Sequence, residues 1–112
     1  NMKVDIQAGK LLLMLLAGLT SLPATADIDA HALYREHCIR CHGSDGHATT
    51  WRGYLYGARD FTDSDWQARQ SDARILRRIN TGPGMMPAFE HELTLAEREA
   101  LVQAVRGFAK TP

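Results

Sequence analysis

The stretch Cys38-Ile39-Arg40-Cys41-His42 decides the fold of this chain of 112 residues. Its two cysteines are three positions apart, a spacing at which each thiol can form a thioether to one vinyl group of a haem. The adjacent His42 can then bind the iron through an imidazole nitrogen. The motif therefore predicts one covalently attached haem c, held by Cys38 and Cys41, with His42 as the first axial ligand.

Two other sites are compatible with a C-x-x-C pair, and both need further sequence features. A dithiol redox pair needs a thioredoxin-like βαβ context, and half of a zinc site needs a second pair of ligands. The chain contains no cysteine beyond these two and no such βαβ pattern. Covalent haem attachment is therefore the favoured interpretation, and no thiol is left for a structural disulfide.

A second chemical feature is the run Met85-Met86-Pro87-Ala88-Phe89. Taken alone, two methionines beside a phenylalanine indicate core packing. After a C-x-x-C-H motif, a thioether sulfur is a suitable second axial ligand opposite histidine. Met86, directly before the proline, is the favoured ligand, Met85 is the alternative, and His91 is a distant rival.

The first 26 residues have the pattern of an exported leader. Lysines near the start precede the uncharged run 11–22, and Pro23-Ala24-Thr25-Ala26 ends in small residues. We expect residues 1–26 to be a signal peptide cleaved before Asp27, which predicts a periplasmic protein with residues 27–112 as its domain. A retained membrane anchor is the alternative, although the uncharged run falls short of the roughly 20 residues that span a bilayer as a helix.

Composition and charge restrict the function. The chain has 13 basic and 13 acidic residues. Without Lys3, Lys10 and Asp5 of the leader, 11 basic and 12 acidic residues remain, a formal net charge of −1. This balance gives no support to nucleic-acid binding. A domain of this size builds a marginal apolar core, so a covalent cofactor would supply buried surface that the chain lacks.

Hydrophobic periodicity and capping residues predict an all-α domain of about four helices. The first begins after Asp27 or Asp29 and continues through the cysteine motif to Gly43. A short helix follows Thr62 or Asp63 and ends near Gln70, a third begins at Ser71-Asp72, and a fourth follows the capping box of Thr94 and Glu97 and ends near Lys110. Residues 47–60 are expected to be a loop whose aromatic side chains lie against an apolar surface.

The predicted mature region resembles small bacterial class I cytochromes c, through the C-x-x-C-H motif near its start, the Met-Pro-Ala-Phe loop and the C-terminal helix. The resemblance implies a cytochrome c fold around one haem, with Cys38 and Cys41 as attachment sites and His42 and Met86 as axial ligands. Many members have a proline after the histidine whose neighbouring carbonyl accepts the imidazole proton. No proline occurs between His42 and Pro83, so another carbonyl must orient His42.

The function that these features predict is single-electron transport between redox partners, by cycling of one haem between Fe(II) and Fe(III). With both axial positions filled by protein, we expect an electron carrier rather than an enzyme, with a reductase and an oxidase or dehydrogenase as partners. Two alternatives remain open. One is a haem c subunit of a membrane respiratory complex, and the other is a haem sensor or peroxidase-like protein with a labile distal ligand.

Overall fold

The computed structural model describes residues 27–109, and all of its regular elements are α-helices. The predicted signal peptide and the last three residues lie outside the described part. The helices, in chain order, are α1 (Ala30–His37), α2 (Ile39–His42), α3 (Trp51–Tyr56), α4 (Ser64–Arg69), α5 (Asp72–Thr81) and α6 (Leu95–Arg106).

The first and last helices pack against each other, as their apolar faces require. Tyr34 of α1 is buried, and its ring lies 5.1 Å from that of Phe108, just beyond α6. Leu101, Val102 and Val105 supply the buried face of α6. The predicted helix around the cysteine motif is divided at Cys38, which belongs to neither α1 nor α2. The split leaves the motif on a short helix of its own, in contact with both α1 and α3.

Side-chain caps begin the helices where the sequence indicates. Asp29 caps α1 by accepting from the amide of Ala32, and Asp63 caps α4. Ser71 caps α5, and the capping box predicted at the start of α6 is present. The last helix ends at Arg106, four residues before the expected end, because Gly107 and Phe108 continue as a turn.

The expected loop over residues 47–60 contains a helix, so that prediction was wrong in this segment. Thr50 caps α3 by accepting from the amide of Gly53, and Gly57 ends it in the left-handed conformation. Of the aromatic side chains in this segment, Tyr56 lines a mainly apolar cavity as expected, but Trp51 and Tyr54 do not. Trp51 is 68% exposed and Tyr54 is 89% exposed.

Gly53 explains why α3 forms at this place. A Cβ atom at this position would lie 2.1 Å from the carbonyl oxygen of Cys41 and 2.7 Å from that of Ala48. Only a residue without a side chain allows this close approach of α3 to the cysteine motif. The large side chains of α3 therefore point away from the contact, which accounts for their exposure.

Gln67 connects α4 to the last helix. Its buried amide nitrogen donates to the carbonyl oxygens of Phe61 at 2.8 Å and Val105 at 2.9 Å. Its amide oxygen accepts from Arg106, whose guanidinium also bonds Asp72. These bonds satisfy a buried polar side chain and fix the segment before α4 against α6. Within residues 27–109, no helix combines the length and the hydropathy that crossing a membrane requires.

Candidate cofactor site

A large cavity lies between the cysteine motif, helix α5 and the methionine loop. Its volume, with the open mouth included, is about 1130 Å³. Cys38, Cys41 and His42 line one side, and Met85 and Met86 line another. The remaining wall is mainly apolar. Its buried apolar residues are Trp66, Ile75, Ile79, Phe89, Leu101 and Val105, with Phe61 beside His42. All four residues predicted to hold the cofactor therefore border one cavity.

The orientation of His42 is set by a turn that is distant in sequence. Its Nδ1 atom lies 3.0 Å from the carbonyl oxygen of Arg59, and its ring stacks on Phe61 with a centroid distance of 4.2 Å and an interplanar angle of 13°. A carbonyl can only accept, so Nδ1 carries the proton and Nε2 keeps its lone pair. Arg59 thus supplies the carbonyl whose identity the sequence left open.

Burial shifts the ionisation of both His42 and Cys38 towards the neutral form. Burial lowers the pKa of His42, although the hydrogen bond to the Arg59 carbonyl opposes this effect. The imidazole is consequently neutral near pH 7, which is the form that binds a metal. Burial, and secondarily the neighbouring Cys41, raises the pKa of the Cys38 thiol to about 12. The two cysteines form no disulfide.

The two methionines differ in exposure. Met85 is 67% exposed, whereas Met86 is half-buried and packs against the apolar core. Gly82, with φ +62°, ends α5 and lets the loop return closely, since a Cβ there would lie 2.4 Å from the carbonyl oxygen of Met86. The amide of Phe89 donates to the Ile79 carbonyl at 2.9 Å and closes the loop against α5. Backbone contacts on both sides therefore hold Met86 at the cavity.

The other histidines have separate surroundings. His91, the rival ligand, is exposed and does not line the cavity. His37 ends α1 and borders the cavity, with its ring 5.2 Å from that of Phe89. His31 is exposed, and His47 bonds Thr62. No sequence pattern singles out His37, because its place at the cavity depends on how α1 packs.

Comparison with known proteins decides the family. A family model described as cytochrome c oxidase, cbb3-type, subunit III matches residues 26–103. The chain belongs to this family of c-type cytochromes. No curated protein matches the sequence.

Solved structures agree with this family assignment. The chain is 51% identical to the KustC0563 c-type cytochrome, with a TM-score of 0.68 over 74% of this chain and 100% of that one. A tyrosine-to-phenylalanine mutant of Kustc0563 is 50% identical, with a TM-score of 0.66 over 72% of this chain and 99% of that one. The predicted fold, a small class I c-type cytochrome, is thereby confirmed.

The family carries covalently bound haem c, and the cavity fits that group. A haem needs an apolar cleft for its ring, thiols for its vinyl groups and axial donors for its iron. It also brings two carboxylates, and among the described residues the cavity lining contains Arg59 and Arg78 but no Asp or Glu. Neither guanidinium forms an ion pair with a carboxylate of residues 27–109. The donor set and charge of the cavity thus match haem.

Proposed function

We propose that this cytochrome carries single electrons between redox proteins of the periplasm, with one haem c attached through Cys38 and Cys41 and ligated by His42 and Met86. The observation that carries the proposal is the arrangement of the cavity, which has the attachment motif on one side and Met86 on another. When bound, haem supplies a reversible one-electron couple at its iron. The protein residues bind it, orient it and exclude water from it.

His42 and Met86 have complementary tasks in this proposal. The neutral imidazole of His42 presents Nε2 while its Nδ1 proton is held by the Arg59 carbonyl. A thioether ligand from Met86 is soft and neutral and favours a higher reduction potential than a second histidine. Because both axial positions would be occupied by protein, a substrate has no open coordination position, which supports electron transfer over catalysis.

Partner contact is supported by the surface beside the cavity. Tyr56 and Met85 are exposed and border the cavity, and Tyr54 and Leu55 of α3 are exposed next to Tyr56. Aromatic residues and methionine are enriched in protein–protein interfaces. An exposed apolar surface at the mouth of the cavity is suited to close approach of a redox partner.

A second candidate is a subunit of a membrane respiratory complex, which the description of the matching family model favours. The KustC0563 cytochrome, whose solved chain is matched over 100% of its length, is described only as a c-type cytochrome, so this comparison favours neither candidate. The soluble carrier requires export and cleavage before Asp27. The complex subunit would instead retain residues 1–26.

The axial ligands are tested by paired methionine variants. We expect the ferric protein to show the absorption band of a methionine–iron bond at about 695 nm. Met86→Ala should lose this band, and Met85→Ala, the matched control, should keep it. A wild-type protein without the band, and with ready carbon monoxide binding in the ferrous form, would favour the sensor or peroxidase-like alternative.

The cellular location of the protein and its number of haems are tested by measuring the intact mass after cell fractionation. A periplasmic product with the mass of residues 27–112 plus one haem supports the soluble carrier. A membrane-bound product that retains residues 2–26 supports the complex subunit. A mass with no haem, from cells that mature other c-type cytochromes, would contradict both candidates.

A further inference from the structure

We propose that Thr62 is a positioning residue for His42, because it fixes the turn whose Arg59 carbonyl accepts the imidazole proton. Thr62, Asp60 and His47 form a cluster behind this turn, and none of the three lines the cavity. The inference rests on the proposed function, since it assigns an indirect effect on the proposed ligand His42.

The hydroxyl of Thr62 is the centre of the cluster. It donates to Oδ1 of Asp60 at 2.7 Å, and the backbone amide of Thr62 donates to the same oxygen at 2.8 Å. Nδ1 of His47 lies 3.0 Å from the Thr62 hydroxyl oxygen. Because the hydroxyl proton is directed to Asp60, His47 must be the donor in this bond. Two groups from different segments, the Asp60 carboxylate and the His47 imidazole, therefore meet at one hydroxyl.

Asp60 is held as a carboxylate by the same contacts. Its limited burial raises the pKa, but hydrogen bonds from Thr62 and the nearby His47 outweigh burial and lower the pKa below its usual range. Nδ1 of His47 lies 3.7 Å from the second carboxylate oxygen. The amide of His47 bonds the Asp45 side chain at 3.0 Å, which fixes the other side of the cluster.

The turn that this cluster holds contacts His42 twice. The carbonyl of Arg59, directly before Asp60, accepts from Nδ1, and the ring of Phe61, directly after Asp60, stacks on the imidazole. Both backbone polar groups of Phe61 are hydrogen-bonded. Its amide donates to the carbonyl oxygen of Gly46 at 2.8 Å, and its carbonyl oxygen accepts from the side-chain amide of Gln67. Among residues 27–109, the carbonyl of Arg59 accepts no hydrogen bond other than that from His42, so its direction depends on the Asp60–Thr62 contact.

The strength of the hydrogen bond between His42 Nδ1 and the Arg59 carbonyl affects the reduction potential of the haem. A carbonyl that accepts the outer proton of a ligating imidazole orients the ring and raises its basicity. A more basic ligand favours the ferric state. Loosening the turn should therefore weaken the bond and shift the equilibrium toward the ferrous state.

The test compares Thr62→Val with two controls in the haem-loaded protein. Thr62→Ser keeps the hydroxyl, and Thr81→Val removes an exposed hydroxyl that bonds only the Arg77 carbonyl. We expect Thr62→Val to favour the ferrous state about threefold, or roughly 28 mV at 59 mV per tenfold change. Faster solvent exchange of the His42 Nδ1 proton, measured by NMR, should accompany the shift. Both controls should remain at wild-type values.

A second variant keeps the test decisive if Thr62→Val fails to fold. Asp60→Ala removes the acceptor of both Thr62 bonds at a side chain that is 43% exposed, and should give the same shift and faster exchange. Wild-type potential and exchange in a folded Thr62→Val or Asp60→Ala protein would overturn the inference alone. A wild-type protein whose haem is not bound by His42 would overturn the proposed function and the inference together.

Discussion

The two sides of the cavity are built in different ways. The attachment wall (residues 38–42) is held by distant segments, through the Arg59 carbonyl, the Phe61 ring and the close approach of Gly53. The methionine wall (residues 82–87) is held by its immediate neighbours, through Gly82 and the end of α5. One wall depends on tertiary packing, and the other is largely a local turn.

This difference indicates how each wall should respond to change. Damage to the attachment wall affects the cofactor together with the segments that pack on the motif. Damage to the methionine wall should alter ligation and local stability while the helices remain assembled. The following predictions test this contrast, from the largest expected effect to the smallest.

The largest effect is expected from Cys38→Ala combined with Cys41→Ala. Without thiols no thioether can form, so haem should be lost completely on denaturing electrophoresis with haem staining. Without covalently attached haem, the cavity of about 1130 Å³ would lose the group that fills it. We therefore expect a clear fall in Tm, measured by circular dichroism. Haem that still migrates with the double variant would contradict the assignment of the attachment sites.

A smaller effect is expected from Gly82→Ala in the methionine wall. The positive φ costs about 1–3 kcal/mol, and the new Cβ would meet the Met86 carbonyl at 2.4 Å, which adds to that cost. Urea unfolding should show the loss, and the methionine–iron band should weaken.

Gly84→Ala is the matched control for this substitution. It has a similar φ of +60° but no atom within 4 Å of the added Cβ. It should therefore be the less destabilising of the two and should leave the methionine–iron band unchanged. Equal effects at the two glycines would show that the close approach at Gly82 does not hold the methionine wall.

The smallest effect is expected at the capping box of α6, which belongs to neither wall. Hydrogen bonds from the backbone and side chain of Thr94 lower the pKa of Glu97 from its usual 4.5. A carboxyl with a lowered pKa stabilises the fold above about pH 4.5, and this contribution is lost as the pH falls through the folded pKa.

The variant Glu97→Gln removes this titration and keeps an amide oxygen that can accept from the Thr94 amide. The small stability difference between wild type and variant, measured by urea unfolding at pH 6, should therefore shrink at pH 3. A difference that grows on acidification would contradict the assigned direction of the pKa shift.

Much of the architecture was predictable because local chemistry carries it. The caps at Asp29, Asp63, Ser71 and Thr94 bond amides within the same turn, so residue type and spacing suffice to locate them. The family and fold followed from the cysteine motif and the Met-Pro run. The assignment of both axial ligands stays a prediction.

Helix α3 and the environment of His37 were missed for a shared reason. The capping signal of α3 was present in Thr50 and Gly57, but its stability depends on Gly53 lying against the Cys41 carbonyl. This contact joins segments that the sequence does not pair. His37 likewise reaches the cavity only through the packing of α1 on α6.

The sequence by itself determined the attachment chemistry, the candidate ligands and the helical class, because these depend on residue types at fixed short spacings. Only the tertiary structure decided which carbonyl orients His42 and which of the two methionines is half-buried. Arg59 lies seventeen residues from His42, and the hydrogen bond between them exists only after the chain has folded. A carbonyl is common to every residue, so no sequence pattern identifies the one that a folded chain places beside a histidine.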